Sequence, residues 1–279
     1  MALAVNGMVS IFIPTYNVSD LFSATMQSLL AQTYSELEIW LVDDASTNDT
    51  PSVLDDWAQR DPCIHVIHKE KNEGFVPYSW NRVFPHLQGE WTLYMSHDDL
   101  LAPDCIEHLV KEAAADGVDC VIPSCIGFEQ NWESPESSLD VFNRKNNILQ
   151  QEYLSGKEAF ARMLNYDIPG FALWRTSMIR QIGMPTEAFN SDEGMQRIWA
   201  LHARQVVLCP ASKFYYRIVP GSITKGLKPY HRTSLLTQRR LLREAFRSDI
   251  WWRYPSPVLK FFIQYLRSWR YLNKALPKA

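Results

Sequence analysis

The chain has 279 residues, of which 46% are hydrophobic and 21% charged. This composition excludes a disordered chain, a collagen-like fibre and a small disulfide-stapled domain, and the length suits one large domain or two small ones. The net charge of −3 conceals an asymmetry, because residues 1–224 hold 15 Lys and Arg against 29 Asp and Glu, whereas residues 225–279 hold 13 against 2. An acidic body disfavours nucleic acid as a partner, so an anionic substrate must meet a metal ion or a local basic patch.

The predicted elements of the first half alternate between short hydrophobic runs and amphipathic segments. Strands are predicted over residues 8–13, 37–42, 63–67, 91–95 and 118–123. Helices are predicted over residues 20–31, 50–59, 76–87 and 103–115, and Thr50 followed by Pro51 is typical of a helix start. This alternation predicts βαβ units and an α/β fold with a mostly parallel sheet.

The second half has a less regular pattern. Residues 128–150 are polar and predict a loop, and Ser155 with Glu158 forms a capping box for a helix that ends near residue 164. Further strands are predicted over residues 171–174, 206–208 and 213–217, and a further helix over residues 192–203. Beyond residue 226 the pattern is helical and basic, interrupted at Pro255 and Pro257. We therefore predict a body over residues 1–224 and a helical tail over residues 225–279.

The cysteines and the hydrophobic runs bear on the compartment. The five cysteines include no CxxC pair, which favours buried free thiols in a reducing compartment. The first residues lack the basic region of a signal peptide, and no segment reaches the roughly 18–20 apolar residues of a membrane span. These features predict a cytoplasmic protein, with any membrane contact peripheral and at the inner face.

Chemistry is expected at the carboxyl ends of the strands, where ligands of open parallel sheets bind. Polar residues follow four consecutive predicted strands, in the segments Pro14-Thr15-Tyr16-Asn17, Asp43-Asp44, Asn72-Glu73-Gly74 and Ser96-His97-Asp98-Asp99. Asp98 and Asp99 offer hard oxygen ligands that suit Mg²⁺ or Mn²⁺, and such an ion would stabilise a departing diphosphate. Asp44 has the chemistry to accept the N–H of a pyrimidine base. Each of these aspartates, taken alone, is also typical of a turn or a cap.

The motifs VSIFIPTYN, SLLAQTY, VDDASTNDT, NEG and MSHDDLLAP follow one another within residues 8–110. In combination they resemble the donor-binding half of the GT-A glycosyltransferases of family 2, which are inverting and nucleotide-sugar-dependent. The resemblance continues through IPGFALWRTSMIRQIG, DEGMQRIWAL and YYRIVPGSIT. It implies a GT-A fold, Rossmann-like, with a sheet flanked by helices, a donor half over about 1–125, an acceptor half over about 126–224 and a C-terminal helical extension.

The resemblance also implies a role for individual positions. Nucleotide binding would fall to Pro14, Thr15, Tyr16, Asn17, Asp44, Asn72, Gly74 and Asp98. Asp99, with Asp98, would hold Mn²⁺ or Mg²⁺, although Ser96 stands where the family often has a further Asp. A general base would come from Asp192, with Glu193 as its competitor, because this segment is one residue out of register with Arg197. A loop closing over the diphosphate would include Arg217, Ser222 and His231.

The tail supports two interpretations. Residues 251–279 contain six Lys and Arg and no acidic residue, and apolar residues recur with helical spacing at Val258, Phe262, Tyr265, Trp269 and Leu272. A basic helix with aromatic residues is typical of a membrane interface. The same stripe is equally typical of a helix packed on the body or on a second subunit.

These observations predict a metal-dependent inverting glycosyltransferase. Its donor would be a nucleotide sugar, and its acceptor a glycan or a lipid-linked glycan in surface polysaccharide or glycolipid synthesis. One alternative is a non-catalytic protein that binds sugar nucleotides or glycans on the same scaffold. A nucleotidyltransferase is disfavoured because PTYNVSD contains neither Gly nor Lys, and a dinucleotide-dependent dehydrogenase because no GxGxxG occurs. The oligomeric state stays open.

Overall fold

The computed structural model describes residues 5–18, 20–129, 148–184, 188, 190–218 and 228–276. Within these ranges the strands are β1 (Val5–Thr15), β2 (Leu37–Asp43), β3 (Ile64–His68), β4 (Gly89–Tyr94), β5 (Leu100–Leu101), β6 (Val118–Glu129), β7 (Glu152–Ser155), β8 (Leu173–Arg175) and β9 (Gln205–Ile218). The α-helices are α1 (Leu21–Leu30), α2 (Thr50–Arg60), α3 (Val76–Val83), α4 (Cys105–Ala113), α5 (Gly156–Leu164), α6 (Thr176–Ile182), α7 (Ser191–His202), α8 (Ser234–Arg247), α9 (Ile250–Arg253) and α10 (Pro255–Ala275). A 3₁₀-helix covers Pro229–Thr233.

All the described strands join one sheet in the order β3-β2-β1-β4-β8-β6-β9-β5, and β7 pairs antiparallel with residues 205–208 of β9, on the edge opposite β6. β1 pairs in parallel with both β2 and β4, and β2 with β3, as the βαβ pattern predicts. β8 enters antiparallel between β4 and β6, but its ladders are short, and the longest ladder, between β6 and β9, is parallel. The predicted α/β fold with a helix-flanked sheet is therefore confirmed.

The sheet separates two hydrophobic cores, because alternate residues of a strand point to opposite faces. Val9, Ile11 and Ile13 of β1 face a core that includes α1, α2 and α4. Phe12 faces the other core, which α3, α5 and α7 cover and in which Trp80 and Trp199 lie fully buried. β1 is thus buried on both faces, which explains its continuous hydrophobic sequence.

The second half differs from the prediction in its strands. β6 extends to Glu129, and β9 is one strand where two were expected. The register shifts where Pro123 pairs with Cys209 and Ser124 with Lys213, so β9 bulges there. Pro210 lies in this bulge and has no amide hydrogen to give to a ladder, which explains why its sequence suggested a break. The predicted loop over 128–150 overlaps the end of β6, and its residues 130–147 lie outside the described residues.

The tail helices pack on the body. Leu241, Leu242 and Ala245 of α8 and Val258 and Phe261 of α10 belong to the same core as α5 and α7. α10 begins at Pro255 and includes Pro257 in its first turn, where proline is tolerated, so the predicted interruption at Pro257 is wrong.

The predicted apolar stripe of α10 is divided between the interior and the surface. Val258 and Leu272 are buried, whereas Phe262 is 41% and Trp269 45% exposed. The predicted boundary between the body and the tail, after residue 224, lies within residues 219–227, which are outside the described residues.

Two further sequence expectations concern membranes and thiols. None of the helices in the described part of the chain is both long and apolar enough to cross a bilayer. The five cysteines are free, and four of them are buried, with Cys63 partly so. Burial raises the pKa of the Cys105 thiol to about 12, as expected for an inert structural residue.

Candidate active site

The ends of β1 and β2 lie side by side, with Thr15 in register with Asp43. Thr15 is buried and its hydroxyl donates to the carbonyl oxygen of Val42 at 3.1 Å. Asn17 adopts a left-handed conformation (φ 49°), and its Oδ1 accepts a hydrogen bond from the amide of Thr47 at 2.8 Å. The side chains of Thr15 and Asn17 therefore support the two loops.

In the same segment, Pro14 before Thr15 is partly buried, and Tyr16 between Thr15 and Asn17 is 43% exposed. Tyr16 thus offers an exposed aromatic ring to a ligand, and the exposed Asn17 follows it.

Asp44 connects the end of β2 to the segment that follows β3. Its Oδ1 accepts from the amide of Glu73 at 3.0 Å and its Oδ2 from the amide of Gly74 at 2.8 Å. The Lys69 ammonium also contacts the Asp44 carboxylate and lies 2.7 Å from Glu73 Oε2. Gly74 has a φ of +78°, which favours glycine at this turn. The predicted nucleotide-binding residues Asp44 and Gly74 are therefore in direct contact, with Asn72 beside them in the same turn.

Asp98 and Asp99 follow β4 and meet the end of β9. Asp99 is fully buried, and its Oδ1 accepts from the amide of Arg217 at 2.9 Å. The Arg217 Nε donates to the carbonyl oxygen of Asp98 at 2.7 Å, and its guanidinium lies 4.5 Å above the ring of Phe128. Asp99 Oδ2 is buried and has no hydrogen-bond partner among the described residues. Arg217 lies on β9, within the strand predicted over 213–217 and not on the loop that the resemblance implied, and it is held against the aspartate pair.

The charge environment of this pair is unusual. Burial raises the pKa of Asp99 well above its ordinary value, and the neighbouring Asp98 raises it further. Burial also lowers the pKa of the Arg217 guanidinium. A buried carboxylate oxygen without a partner is costly unless a cation or a donor reaches it.

The aspartate pair fits Mg²⁺ or Mn²⁺. Mg²⁺ is usually held by one or two carboxylates together with waters and substrate phosphates. Asp99 Oδ2 is a free oxygen ligand of this kind, and Asp98 is the adjacent carboxylate. In the described ranges no group of three or more His, Cys, Asp or Glu residues forms a complete ligand set, so the remaining ligands would come from solvent and substrate.

Asp192 approaches the same region from the other half of the chain. It is the second residue of α7, and its Oδ2 accepts from the hydroxyl of Tyr94 at 3.4 Å. Tyr94 ends β4, four residues before Asp98. Burial raises the pKa of Tyr94 well above its ordinary value, and the charges of Asp192 and Asp99 raise it further. Tyr94 thus lies within electrostatic reach of both Asp192 and Asp99.

The pKa of Asp192 is itself raised, first by burial and then by the charge of Glu193. A carboxylate with a raised pKa is a stronger base than an ordinary one.

Glu193 points to a different neighbour. Its Oε1 forms an ion pair with the Nη2 of Arg197 at 2.7 Å, one helical turn later. The Arg197 side chain is buried and also donates through Nε to the carbonyl oxygen of Met163 at 3.1 Å. Glu193 therefore forms an ion pair with Arg197, whereas Asp192 contacts Tyr94, which lies within electrostatic reach of the aspartate pair.

His231 and Ser222 were predicted to close over the diphosphate. His231 belongs to the 3₁₀-helix, where its Nδ1 accepts from the amide of Lys228 at 2.8 Å. The adjacent Tyr230 packs edge-on against Phe75, 6.4 Å between ring centroids, which brings this helix next to the segment after β3. Ser222 lies outside the described residues.

Sequence reasoning missed Tyr94, Lys69 and Tyr216. Lys69 could have been noticed as a basic residue directly after a predicted strand in an acidic body. Tyr216, on β9, has its pKa raised to about 12 by burial and by Asp99 and Asp98, so it also borders the aspartate pair. Tyr94 and Tyr216 gave no signal because aromatic residues are ordinary in buried strands.

Comparisons with known proteins agree with this geometry. Residues 10–183 match the family model for glycosyl transferase family 2. Glycosyltransferase GlyG of Streptococcus pneumoniae serotype 4 is 24% identical over 230 residues, which cover 78% of this chain and 73% of that protein. The putative glycosyltransferase EpsH of Bacillus subtilis is 25% identical, over 87% of this chain and 72% of that protein.

Among solved structures, S. aureus TarS 1-349 in complex with UDP-GlcNAc superposes with a TM-score of 0.70, at 16% identity, over 85% of this chain and 66% of that one. Mannosyltransferase PcManGT from Pyrobaculum calidifontis, in complex with GDP-Man and Mn²⁺, superposes with a TM-score of 0.61, at 18% identity, over 97% of this chain and 76% of that one. These likenesses concern the fold. Because the family model covers more than half of the sequence, the chain belongs to glycosyl transferase family 2 and is a glycosyltransferase with a GT-A fold.

Proposed function

We propose that the chain is a metal-dependent, inverting glycosyltransferase that moves a sugar from a nucleotide-diphosphate donor to a hydroxyl group. The observation that carries this proposal is the position of Tyr94, which touches Asp192 and lies within electrostatic reach of Asp98 and Asp99. The carboxylate that would accept the proton and the two that would bind the cation thus all lie near one buried phenol. Residues 1–125 would hold the donor, and residues 126–224 would supply the base.

The proposed reaction is a single displacement. The acceptor oxygen attacks the anomeric carbon, its proton passes to a carboxylate oxygen of Asp192, and the bond between the sugar and the diphosphate oxygen breaks. Asp192 suits the role of base because its raised pKa increases its basicity and because its described partner, Tyr94, is neutral. Glu193 is disfavoured since its charge is neutralised by Arg197.

Asp98 and Asp99 would hold Mg²⁺ or Mn²⁺, through the free Oδ2 of Asp99. When bound, the ion would supply Lewis-acid stabilisation of the charge that develops on the diphosphate. Arg217, fixed against the backbone of Asp98, would add a positive charge beside the diphosphate. The presence of Mn²⁺ in the PcManGT complex supports this assignment.

The nucleotide would lie over the ends of β1, β2 and β3. Tyr16 is exposed there, and Asp44 is fixed by the turn that contains Asn72 and Gly74. One carboxylate oxygen of Asp44 keeps a lone pair with which it can accept the N–H of a pyrimidine base. The UDP-GlcNAc found in the TarS complex supports a uridine nucleotide as the first donor to test.

We further propose that residues 251–279 rest on the inner face of a membrane, where the acceptor would be a lipid-linked glycan of a surface polysaccharide or a glycolipid. α10 packs on the body through one sector and exposes a second, apolar sector formed by Leu259, Phe262, Ile263, Leu266 and Trp269. Around the helix this sector is followed by a basic one, with Lys260, Arg267, Arg270 and Lys274. An apolar face bordered by cations matches an anionic lipid surface. A second copy would instead bring like charges together, because residues 250–276 contain no acid.

The donor site can be tested by calorimetry with UDP, GDP, CDP and their sugar derivatives, each in Mn²⁺ and in EDTA. We expect one nucleotide to bind, and its affinity to fall by about tenfold or more in EDTA and in Asp99→Ala, since the carboxylate and the ion act through the same contact. Asp104→Ala is the matched control, because Asp104 is a surface acid that pairs with His108.

Absence of binding to every nucleotide, in protein shown to be folded, would refute the transferase. Binding that is indifferent to EDTA and to Asp99→Ala would keep the donor site and remove Asp99 from its assigned role.

A further inference from the structure

A groove of about 630 Å³ lies between α7 and α8. It is lined by residues of these two helices and by Ala188, whereas the donor edge is the end of the sheet that carries Asp44, Asp98 and Asp99. Its floor is apolar and buried, formed by Ala188, Met195, Ile198 and Leu241. Its rim is basic, formed by Arg239, Arg240, Arg243 and Arg247 of α8. The groove is therefore apolar with a positively charged rim, whereas the donor edge is lined by aspartates.

The arginines share one face of α8. Arg239, Arg243 and Arg247 are spaced four residues apart, and Arg240 extends the row towards the groove. Like charges at this spacing repel one another, so the row stabilises the isolated helix less than alternating positive and negative charges would. An anion that binds along the row would relieve this repulsion.

Few of these charges are neutralised within the protein. Glu244, the acidic residue that lines the groove, lies 3.6 Å from Arg247, and Arg239 donates to the hydroxyl of Tyr265 at 2.8 Å. Arg240 and Arg243 form no ion pair with any residue in the described ranges. Two guanidinium groups are therefore open to a ligand, and guanidinium groups bind phosphate in a bidentate manner.

The groove begins at the helix that carries the candidate base. Ser191 and Gly194 line it, and Asp192 lies between them in the same helical turn. At Gly194 the two helices touch so closely that a Cβ would overlap the Cγ2 of Thr237. This contact fixes the spacing of α7 and α8, so the groove is built into the packing of the two helices.

We propose that this groove binds the phosphate or diphosphate group of an acceptor that also carries an apolar chain. The arginine rim would hold the phosphate, and the apolar floor would take the first part of the chain. The inference rests on the proposed transferase function, to which it adds the chemical class of the acceptor. The donor diphosphate is not the ligand meant here, since it would be held by Asp98, Asp99 and Arg217 at the end of the sheet.

The test uses the full chain and farnesyl diphosphate as a short probe of this class, with inorganic diphosphate, farnesol and phosphatidylglycerol vesicles as separate titrations. The groove variant is Arg240→Ala/Arg243→Ala, and the control variant Arg267→Ala/Lys274→Ala removes the same charge from α10. We expect farnesyl diphosphate to bind the wild type better than either inorganic diphosphate or farnesol does. The groove variant should weaken this binding by at least about tenfold, because charge-assisted hydrogen bonds are lost, and the control variant should leave it unchanged.

Several results would overturn the inference. Equal binding of farnesyl diphosphate to the wild type and to both variants would mean that the arginine rim contributes nothing to binding. Equal weakening in the groove variant and the control variant would mean that the overall positive charge of residues 225–279 attracts the ligand. Loss of vesicle binding in the groove variant alone would identify the groove as a site for bulk lipid headgroups.

UDP titrations distinguish this proposal from the proposed transferase function. A chain that binds UDP but not farnesyl diphosphate refutes the groove alone. A chain that binds farnesyl diphosphate and no nucleotide refutes the transferase alone.

Discussion

Asp192 and Glu193 are adjacent carboxylates whose different contacts lead to opposite predictions for their amides. In Asp192→Asn the side chain keeps its shape and an oxygen that can accept from Tyr94, so the fold is expected to be retained. The variant loses its ability to take a proton. General base catalysis contributes about 100- to 10,000-fold, which corresponds to ~2.7–5.4 kcal/mol of transition-state stabilisation. We expect kcat to fall by this factor, with little change in donor affinity.

Glu193→Gln should behave in the opposite way. It removes the charge that neutralises Arg197, whose side chain is only 7% exposed, while Glu193 itself is 33% exposed. The cost lies between that of an exposed and that of a buried ion pair, about 1–2 kcal/mol of unfolding free energy. Because Glu193 is paired with Arg197 and Tyr94 hydrogen-bonds to Asp192, kcat should change by less than about tenfold, well below the roughly 100-fold that is the lower limit for loss of a base.

Donor hydrolysis provides an assay that needs no known acceptor, because water then takes the place of the acceptor hydroxyl. Initial rates at saturating donor give kcat, and urea unfolding gives the free energy of unfolding for the same preparations. The reasoning is refuted if Glu193→Gln loses more activity than Asp192→Asn, or if Asp192→Asn retains activity close to that of the wild type.

Two further substitutions test the contacts of the site, and a third tests the packing of α5 on the far end of α7. Tyr94→Phe removes a hydrogen bond that lowers the pKa of Asp192, so the pKa should rise and the acidic limb of the kcat/KM profile should move to higher pH; an unchanged limb would argue against Asp192 as the base. Asp44→Asn leaves the two backbone amides and Lys69 with one acceptor oxygen fewer, so UDP affinity should fall in calorimetry and the unfolding free energy by about 1–3 kcal/mol. Gly156→Ala places a methyl group against carbonyl oxygens at the end of α7, and should cost about 1–3 kcal/mol in urea unfolding, whereas no loss would mean that α5 shifts freely.

The first half of the fold was predictable because one rule governs it. Strands buried on both faces give continuous hydrophobic runs, and helices between them give a different period, so β1 to β4 were located to within a few residues. The ends of parallel strands meet at one edge, which is why Asp44 and Asp99 could be assigned to a common site before their contacts were known.

The second half of the fold and the side-chain contacts within the site were harder to predict from the sequence. A strand was predicted over residues 171–174, but the antiparallel direction of β8 depends on its neighbours in the sheet. Pro210 suggested a break in β9, whereas the pairing with β6 that continues β9 through the bulge cannot be derived from the local sequence. The contact between Tyr94 and Asp192 spans 98 residues and depends on how α7 packs over the sheet. The sequence left Asp192 and Glu193 as competitors for this reason, because the difference between them is the neighbour each one meets.

The two proposed phosphate-binding sites carry opposite charges, so they should differ in whether an anionic ligand needs a metal ion to bind. At the proposed donor site Asp44, Asp98 and Asp99 would surround the ligand, and Lys69 is already paired, so a diphosphate there would depend on a bound cation in addition to Arg217. In the groove between α7 and α8 the arginines outnumber the lining carboxylate, so a phosphate needs no metal ion. EDTA should therefore weaken the binding of UDP by about tenfold or more and leave the affinity for farnesyl diphosphate unchanged in the same sample. Loss of both affinities in EDTA would mean that the two ligands compete for one metal-dependent site, and would contradict the separation of donor and acceptor phosphates.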